Sequence, residues 1–470
     1  MKIKGFLSIL LAALMLLCGC GVKDAAPAPT AEPTNTPEPT QQAAAPVIGD
    51  YLLVAPVSHE YAADPNTIVT ESGDADMEKF GELAEAWRAQ QQERDKAARS
   101  VPDMRGFTEA LFDELTKDAG NGNVIFSPAN VYMALALLAE STEGETRAEI
   151  LNALGAGSMD ELRASAAALM KAEPIDDGIT KCGIANSLWL NNGTAFNTDT
   201  LERIAEIYEG SSYWGDPADA GFTKALREWL NANTGGMLKD SVAQVSLPAD
   251  LVAAIASAIY FKAAWEYDYS KDHTDVMPFH TPEGDIDADF MHKDSMGRYY
   301  EGEGFRAYCE PLKNGAGAMW FLLPDEGVSV EEMMKTHGME FIRSDKSEAM
   351  SANVIVHVSM PKIDVKSDID LAGALSGMGI RSCFDPARAD FSPLLAEDAP
   401  VCINAAKHVA RVKTDEDGVE AAAFTILYAG AAAPVERREV DFVLDRPFAF
   451  FITGQSAAPL FMGVVNTPND

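Results

Sequence analysis

Basic residues are scarce in this chain. Lys and Arg number 37 against 72 Asp and Glu in 470 residues, a formal net charge of −35 with the seven histidines neutral. A nucleic acid or a heparin-like polyanion is held by a cationic face, so this balance excludes both as partners, and the acidity reads as solubility. The local pair Arg437-Arg438 reads most simply as solvated loop charge. Histidine and cysteine are thin as well. The histidines form no HExxH or comparable metal pattern, and no pair of cysteines has the spacing of a zinc site or a redox motif. Cys182, Cys309, Cys383 and Cys402 are widely separated and read as buried thiols, with disulfides as the alternative. There is no glycine-rich phosphate loop and no GxSxG elbow, so no catalytic residue, metal or cofactor is assigned, and the chain is not read as an enzyme.

What is present begins with an address. Lys2 and Lys4 precede an apolar run from Phe6 to Leu17, the order of a secretory signal and too short to span a bilayer by itself. Leu17-Cys18-Gly19-Cys20 is similar to the box at which bacterial lipoproteins are cleaved and lipidated. Cys20 is the expected acceptor because the small Gly19 precedes it, whereas Leu17 before Cys18 fits badly. A plain secretory signal with an incidental cysteine is the alternative. Under the first reading residues 1–20 are a lipoprotein signal, and the mature protein is extracellular, held at the cell surface by its lipid alone.

Residues 21–46 are rich in Ala, Pro, Thr and Glu, lack aromatics and show no apolar period, which predicts an extended spacer without a core. Residues 47–102 form an N-terminal extension. Within it Tyr51-Leu52-Leu53-Val54 has strand character and 76–99 reads as a polar helix around Phe80, Leu83 and Trp87; no function is assigned to it. Residues 103–470 suffice for one large domain. Met104, Phe107, Leu111, Phe112 and Leu115 recur at helical spacing, as do Leu201, Ile204 and Ile207. Val354, Val356, Val358 and Met360 alternate, and 441–443, 448–452 and 460–465 are short apolar runs that read as strands. Helices gather in the first half and strands in the second, which predicts an α+β fold.

One segment is built for a change of backbone. In Glu416-Asp417-Gly418-Val419-Glu420-Ala421-Ala422-Ala423-Phe424-Thr425, Gly418 opens conformations closed to other residues. The alternate residues Val419, Ala421, Ala423 and Thr425 are small enough to be buried if the segment becomes a strand. Standing alone it would read as an Ala-rich linker. Other stretches accompany it in a fixed order: Asn123-Val124-Ile125-Phe126-Ser127-Pro128 running into a helix, Gly144-Glu145-Thr146, Asn186-Ser187-Leu188-Trp189, and Leu230 to Gly236. Then follow Ala258-Ile259-Tyr260-Phe261-Lys262-Ala263-Ala264-Trp265, Met360-Pro361-Lys362, Leu375 to Ile380, His408 and Asp445-Arg446-Pro447-Phe448.

From Asp103 to Pro468 this set resembles the serpins, inhibitors of serine proteases. The resemblance implies three β-sheets with about nine helices and an exposed C-terminal reactive loop. It also implies a suicide-substrate mechanism: a protease acylates itself on the loop, which then inserts into the central sheet and deforms the enzyme. The hinge positions carried over are Glu416, Gly418, Val419, Glu420, Ala421, Ala422, Ala423 and Thr425. Val419 stands where threonine is usual, and Phe424 where a small residue is usual, with its side chain expected outward on the inserted strand. Lys362 matches the lysine that pairs with Glu416, and Trp265 lies beside it in the region called the breach. Ser127, Asn130, Ser257 and His408 match the network beneath the opening sheet. There Asn130 and Ser257 exchange the usual residue types, which predicts one buried hydrogen-bond network kept by reciprocal substitution.

The usual spacing from the hinge glycine reaches Ala432, so the expected reactive bond is Ala432-Ala433. The register Ala431-Ala432 and cleavage after Val435 stay open, and Pro434 argues against the bond that precedes it. A small apolar residue before the bond suits the shallow pocket of an elastase-like protease, with subtilisin-like enzymes next. The protein is expected to be a monomer. A non-inhibitory protein of the same fold, whose loop never inserts, is the alternative.

Overall fold

The computed structural model describes residues 7–19, 48–57, 61–65, 77–344, 354–397, 399–416 and 438–469. The spacer at 21–46, Cys20, the hinge from Gly418 to Thr425 and the Ala432-Ala433 bond lie outside the described residues.

The helical periods fold as helices. The polar segment of the extension is α1 (Met77–Ala98), and the Phe107/Leu111/Phe112 stripe is the buried face of α2 (Arg105–Thr116). In α3 (Pro128–Glu140) Ser127 Oγ accepts the Asn130 N–H at 3.0 Å and proline fills the first helical position, a sound start on both counts. Every residue of α3 is buried, so it is the central pillar of the core. Gly155, at φ 72°, ends α4 (Gly144–Leu154) in the left-handed conformation glycine tolerates. Next come α5 (Met159–Ala172), α6 (Thr198–Tyr208), α7 (Ala220–Asn233) and α8 (Lys239–Gln244). A helical run from Val330 to Arg343 has a π-helical turn inside it, and a last helix spans Leu371–Gly377. With that run counted once and α1 set apart as extension, nine helices remain among the described residues.

Three sheets hold the strands. The central one has eight, ordered β14 (Ile363–Asp370), β15 (Val401–Thr414), β1 (Leu7–Gly19), β7 (Leu251–Ala263), β5 (Lys181–Asn191), β6 (Gly210–Gly215) and β2 (Leu52–Val54), with β4 (Ile175–Asp176) beside β5. The second runs β10 (Tyr299–Gly302), β11 (Phe305–Pro311), β12 (Ala318–Pro324), β17 (Phe448–Thr453), β18 (Pro459–Val465) and β3 (Val124–Phe126). The third runs β16 (Arg438–Val443), β13 (Val354–Pro361), β9 (Gly284–Met296) and β8 (Thr274–Thr281).

The two-residue period of β7 divides the interior. Ala253, Ile255 and Ile259 join the main core with α3, whereas Ala254, Ala256 and Ala258 face a second cluster of Trp189, Tyr213, Phe222 and Trp229 beneath α7. Ser257 and His408 therefore look toward α3: Ser257 has the parity of Ile255 in β7, and His408 has the parity of Ala406 and Ala410 in β15. Cys182, Cys309, Cys383 and Cys402 are all buried, and none forms a disulfide.

Two findings add to the sequence reading. The apolar run expected as a leader apart from the domain is β1, the strand between β15 and β7 in the middle of the central sheet. A signal's apolar stretch and a strand covered on both faces share one composition, a continuous run without charge, so hydropathy does not tell them apart. The extension, in turn, is folded onto the domain. β2 adds an antiparallel edge strand to β6, Tyr51 packs at a tilt against Phe222 with ring centroids 5.1 Å apart, and its hydroxyl donates to Asp219 Oδ2 at 2.9 Å. Arg94 of α1 is buried and donates to the carbonyl oxygens of Ala172 and Glu173 at the C-terminus of α5. The Glu173 carboxylate meanwhile accepts from Gln455 N, Ser456 N and Ser456 Oγ in the β17–β18 turn. Gly454 belongs to that turn because a Cβ there would collide with Glu173.

Candidate functional site

β15 runs directly toward the hinge, and Asp415 and Glu416 are the last described residues before it. Three elements hold this end in place. Trp265, just past β7, donates its indole N–H to Asp415 O at 3.0 Å. Thr274 at the start of β8 donates its hydroxyl to Glu416 Oε1 at 2.6 Å. Lys362, between β13 and β14, places Nζ 2.9 Å from the same oxygen. The Lys362–Glu416 contact expected from the sequence is therefore present. Its carboxylate side is nearly closed to solvent, with 6 % of the Glu416 side chain exposed against 30 % of Lys362. Burial by itself pushes the Glu416 carboxyl up, but the hydrogen bonds from Thr274 and Lys362 outweigh it and hold the group below its ordinary value. Glu416 is an anion at neutral pH, fixed where the central and third sheets meet.

Below this latch lies a charged cluster that the sequence did not reveal. Lys293 of β9 reaches Glu310 Oε1 at 2.8 Å and sits 4.1 Å from the centre of the Tyr269 ring; Tyr269 and Tyr308 donate to Glu310 Oε2 at 2.9 and 3.1 Å. The Tyr269 ring packs edge-on against Trp265. These residues form no motif in the chain, and it is the packing of the second sheet against the third that gathers them under Trp265. Thr274 and Asp289, whose carbonyl accepts the Lys362 N–H at 2.8 Å, went unseen for the same reason.

Deeper in the sheet the four expected network residues are all fully buried. Asn130 Nδ2 donates to Ser257 Oγ at 2.9 Å, joining α3 to β7. His408 joins through a different atom, its Nε2 accepting the Ser127 backbone N–H at 3.1 Å. This acceptor role leaves the ring proton on Nδ1. Two atoms of the cluster, Asn130 Oδ1 and His408 Nδ1, have no partner. Burial lowers the His408 pKa to about 3, so the ring is neutral. The expected single network is thus two hydrogen-bonded pairs, linked by the Ser127 Oγ cap on Asn130 N.

The arrangement offers no nucleophile with a base beside it, and the described residues contain no group of three or more side chains fit to hold a metal ion. What it can do is mechanical. A polar latch fixes the foot of a loop at one end of the sheet, and polar residues of α3, β7 and β15 underlie the strand position between β7 and β15.

The comparisons with known proteins agree on a family. The model described as Serpin (serine protease inhibitor) matches residues 103–468. The protein named serpin-Z6C of Oryza sativa subsp. japonica is 30% identical over 389 residues, spanning 76% of this chain and 93% of its own length. The thermophilic serpin tengpin in its native state superposes with a TM-score of 0.66 at 27% identity, covering 77% of this chain and 93% of that one. Human thyroxine-binding globulin, complexed with its hormone, shares the fold with a TM-score of 0.67 at 20% identity over 80% of this chain and 100% of that one.

Proposed function

Because the chain belongs to the serpin family, whose general function is inhibition of serine proteases and not catalysis, we propose that it works as a suicide substrate. In this reading a protease attacks the loop after Glu416 and forms an acyl-enzyme on its own serine. The freed segment from Gly418 onward then enters the central sheet before water can release it. The observation that carries this reading is the sheet itself. β7 and β15 accept a strand antiparallel to both, β15 leads straight into the hinge, and Lys362 with Thr274 holds Glu416 at the point where the loop would turn back. About a dozen ladder hydrogen bonds, each worth roughly 0.5–1.5 kcal/mol net, give on the order of 10 kcal/mol with which to deform a bound protease. The uninserted fold is then held by a barrier rather than by depth.

Ala432-Ala433 is the proposed bond and an elastase-like enzyme the proposed target, because a small side chain before the cut fills a shallow pocket and offers no cation to a trypsin-like one. Cys20 is the proposed lipid acceptor, which would hold the protein at the outer surface of a membrane, with residues 21–46 as spacer. Thyroxine-binding globulin shares the fold at an identity that carries fold alone, so architecture does not by itself make an inhibitor. The small residues Ala421, Ala422 and Ala423 favour a loop that inserts.

The test is incubation with pancreatic elastase, read by denaturing gel and by mass spectrometry of the released peptide. The protein used carries Met15→Asp, which puts a charge at the buried position of β1. A complex that survives the gel, with a C-terminal fragment starting at Ala433, is expected. Clean cleavage without complex by elastase, subtilisin and trypsin alike would overturn the inhibitor reading.

A further inference from the structure

β1 lies where the proposed mechanism needs room. It pairs with β15 from Ser8 opposite Lys413 to Gly19 opposite Val401, and with β7 from Leu7 opposite Ala263 to Cys18 opposite Leu251, antiparallel to both. A loop leaving Glu416 and folding back along β15 would run in the same direction as β1. It would use the same N–H and C=O groups on both neighbours, and one ladder serves one strand. Met15 of β1 is fully buried in the main core, so the strand is packed into the sheet and not laid over it.

The polar cluster beneath bears the mark of this strand. Ala13 stands opposite His408 in β15 and opposite Ser257 in β7, so β1 holds the two strands apart at the level of the network. The ring proton on His408 Nδ1 has no acceptor, and Asn130 Oδ1, tied to β7 through Ser257, has no donor. Buried polar groups are nearly always satisfied. A lone donor and a lone acceptor are thus left unpaired in the cluster that this strand overlies.

We propose that Leu7–Gly19 is an internal block on the inhibitor. While the strand belongs to the chain it fills the place of the reactive loop, and the protein is a substrate for its target instead of a trap. β1 ends at Gly19, the residue before Cys20, where the sequence pattern places signal cleavage. Hydrolysis of the Gly19–Cys20 bond adds one water, leaving a carboxylate on Gly19 and an amine on Cys20. It severs the strand's covalent link to the domain, so the strand can leave the sheet as a separate peptide. Processing then arms the inhibitor, and a chain that has not been processed cannot spend its loop inside the cell. The consequence for inhibition rests on the insertion reading; the occupancy of the sheet does not.

The test uses the full chain with Cys20→Ser, which prevents processing, and the same chain carrying Met15→Asp, which puts a charge at the buried position of β1. In the backbone register Cys18 is paired with Cys402. Oxidation with diamide, which takes up the two thiol hydrogens, is therefore expected to give a Cys18–Cys402 disulfide, mapped by mass spectrometry, in the parent and not in Met15→Asp. After elastase nicking, the thermal midpoint of the parent should stay where it was. That of Met15→Asp should rise by more than about 10 °C as its own loop enters the vacated place. Gel-stable complex should be at least tenfold more abundant for Met15→Asp. If Met15→Asp does not fold by circular dichroism, Ala12→Pro serves instead, because proline removes a ladder donor. Absence of the Cys18–Cys402 link, or gel-stable complex formed in equal yield by parent and variant, overturns the block. The link in the parent with nicking-induced stabilisation in the variant, but no complex in either, upholds the block and defeats the inhibitor reading alone.

Discussion

Asn130 Nδ2 donates to Ser257 Oγ across 2.9 Å, in a position sealed from solvent between α3 and β7. Either residue alone would be a buried polar group without its partner, at a cost of about 1–3 kcal/mol. The contact predicts strong coupling. Asn130→Ala and Ser257→Ala should each lower stability, and the double variant should lose less than their sum by about 1 kcal/mol or more. The exchanged pair Asn130→Ser with Ser257→Asn should regain much of what each single change loses. Chemical denaturation of the four proteins measures this, and simple additivity would count against a shared network.

His408 gives the fold a pH dependence of known sign. Burial depresses its folded pKa to about 3 from an ordinary 6.5. Between those values the unfolded chain binds a proton that the folded one refuses, so stability falls as pH falls through this window. His408→Gln cannot take up that proton. The stability difference between parent and variant should shrink steadily from pH 7 to pH 4, whatever the carboxylates contribute to both. A difference independent of pH would mean that the ring is reached by solvent.

The sequence made the architecture legible where a period or a motif carried it. The Phe107/Leu111/Phe112 stripe, the alternation from Val354 to Met360 and the Ser127-Pro128 helix start all fold as read. The Lys362–Glu416 contact was legible through family order, not through any local pattern. Three things were hidden. Leu7–Gly19 has a composition that suits a signal and a central strand equally. Arg94 looks like one more charge on a polar helix until its partners at Ala172 and Glu173 are seen. Lys293 and Glu310 belong to strands of two different sheets, β9 and β11, that no short-range signal brings together.

Arg94 should matter more than a surface arginine. Its Nε donates to Ala172 O at 3.1 Å and its Nη2 reaches Glu173 O at 3.5 Å, so it covers carbonyls that the end of α5 leaves open. Arg94→Ala should lower stability by about 1–3 kcal/mol and raise hydrogen exchange throughout α1 while leaving β7 protected. Uniform exchange across the molecule would place the loss in global stability instead.

Lys362→Ala strips the cation from a carboxylate with little access to water. Thr274 alone then supports Glu416, and the loss should be about 1–3 kcal/mol at neutral pH. The carboxyl is held below its ordinary value of 4.5, so its contribution is present above that pH and fades as pH falls through the folded value. The penalty for Lys362→Ala should therefore be larger at pH 7 than at pH 3.5. Equal penalties in denaturant midpoints at the two pH values would show that the latch is packing rather than charge.

Ala421 separates an inhibitor from a binder that shares its fold. It has the parity of Val419 and Ala423, the residues whose smallness lets the hinge be buried on insertion. A guanidinium at that position would have to leave water without a partner, at a cost of several kcal/mol, enough to slow insertion below the rate at which water releases the acyl-enzyme. In the Met15→Asp background, Ala421→Arg should still be nicked at the same bond. It should leave free, active elastase where its parent leaves a gel-stable complex, and more molecules should be consumed per protease blocked. Unchanged complex yield would mean that this side chain is never buried, and the trap would have to be sought elsewhere in the molecule.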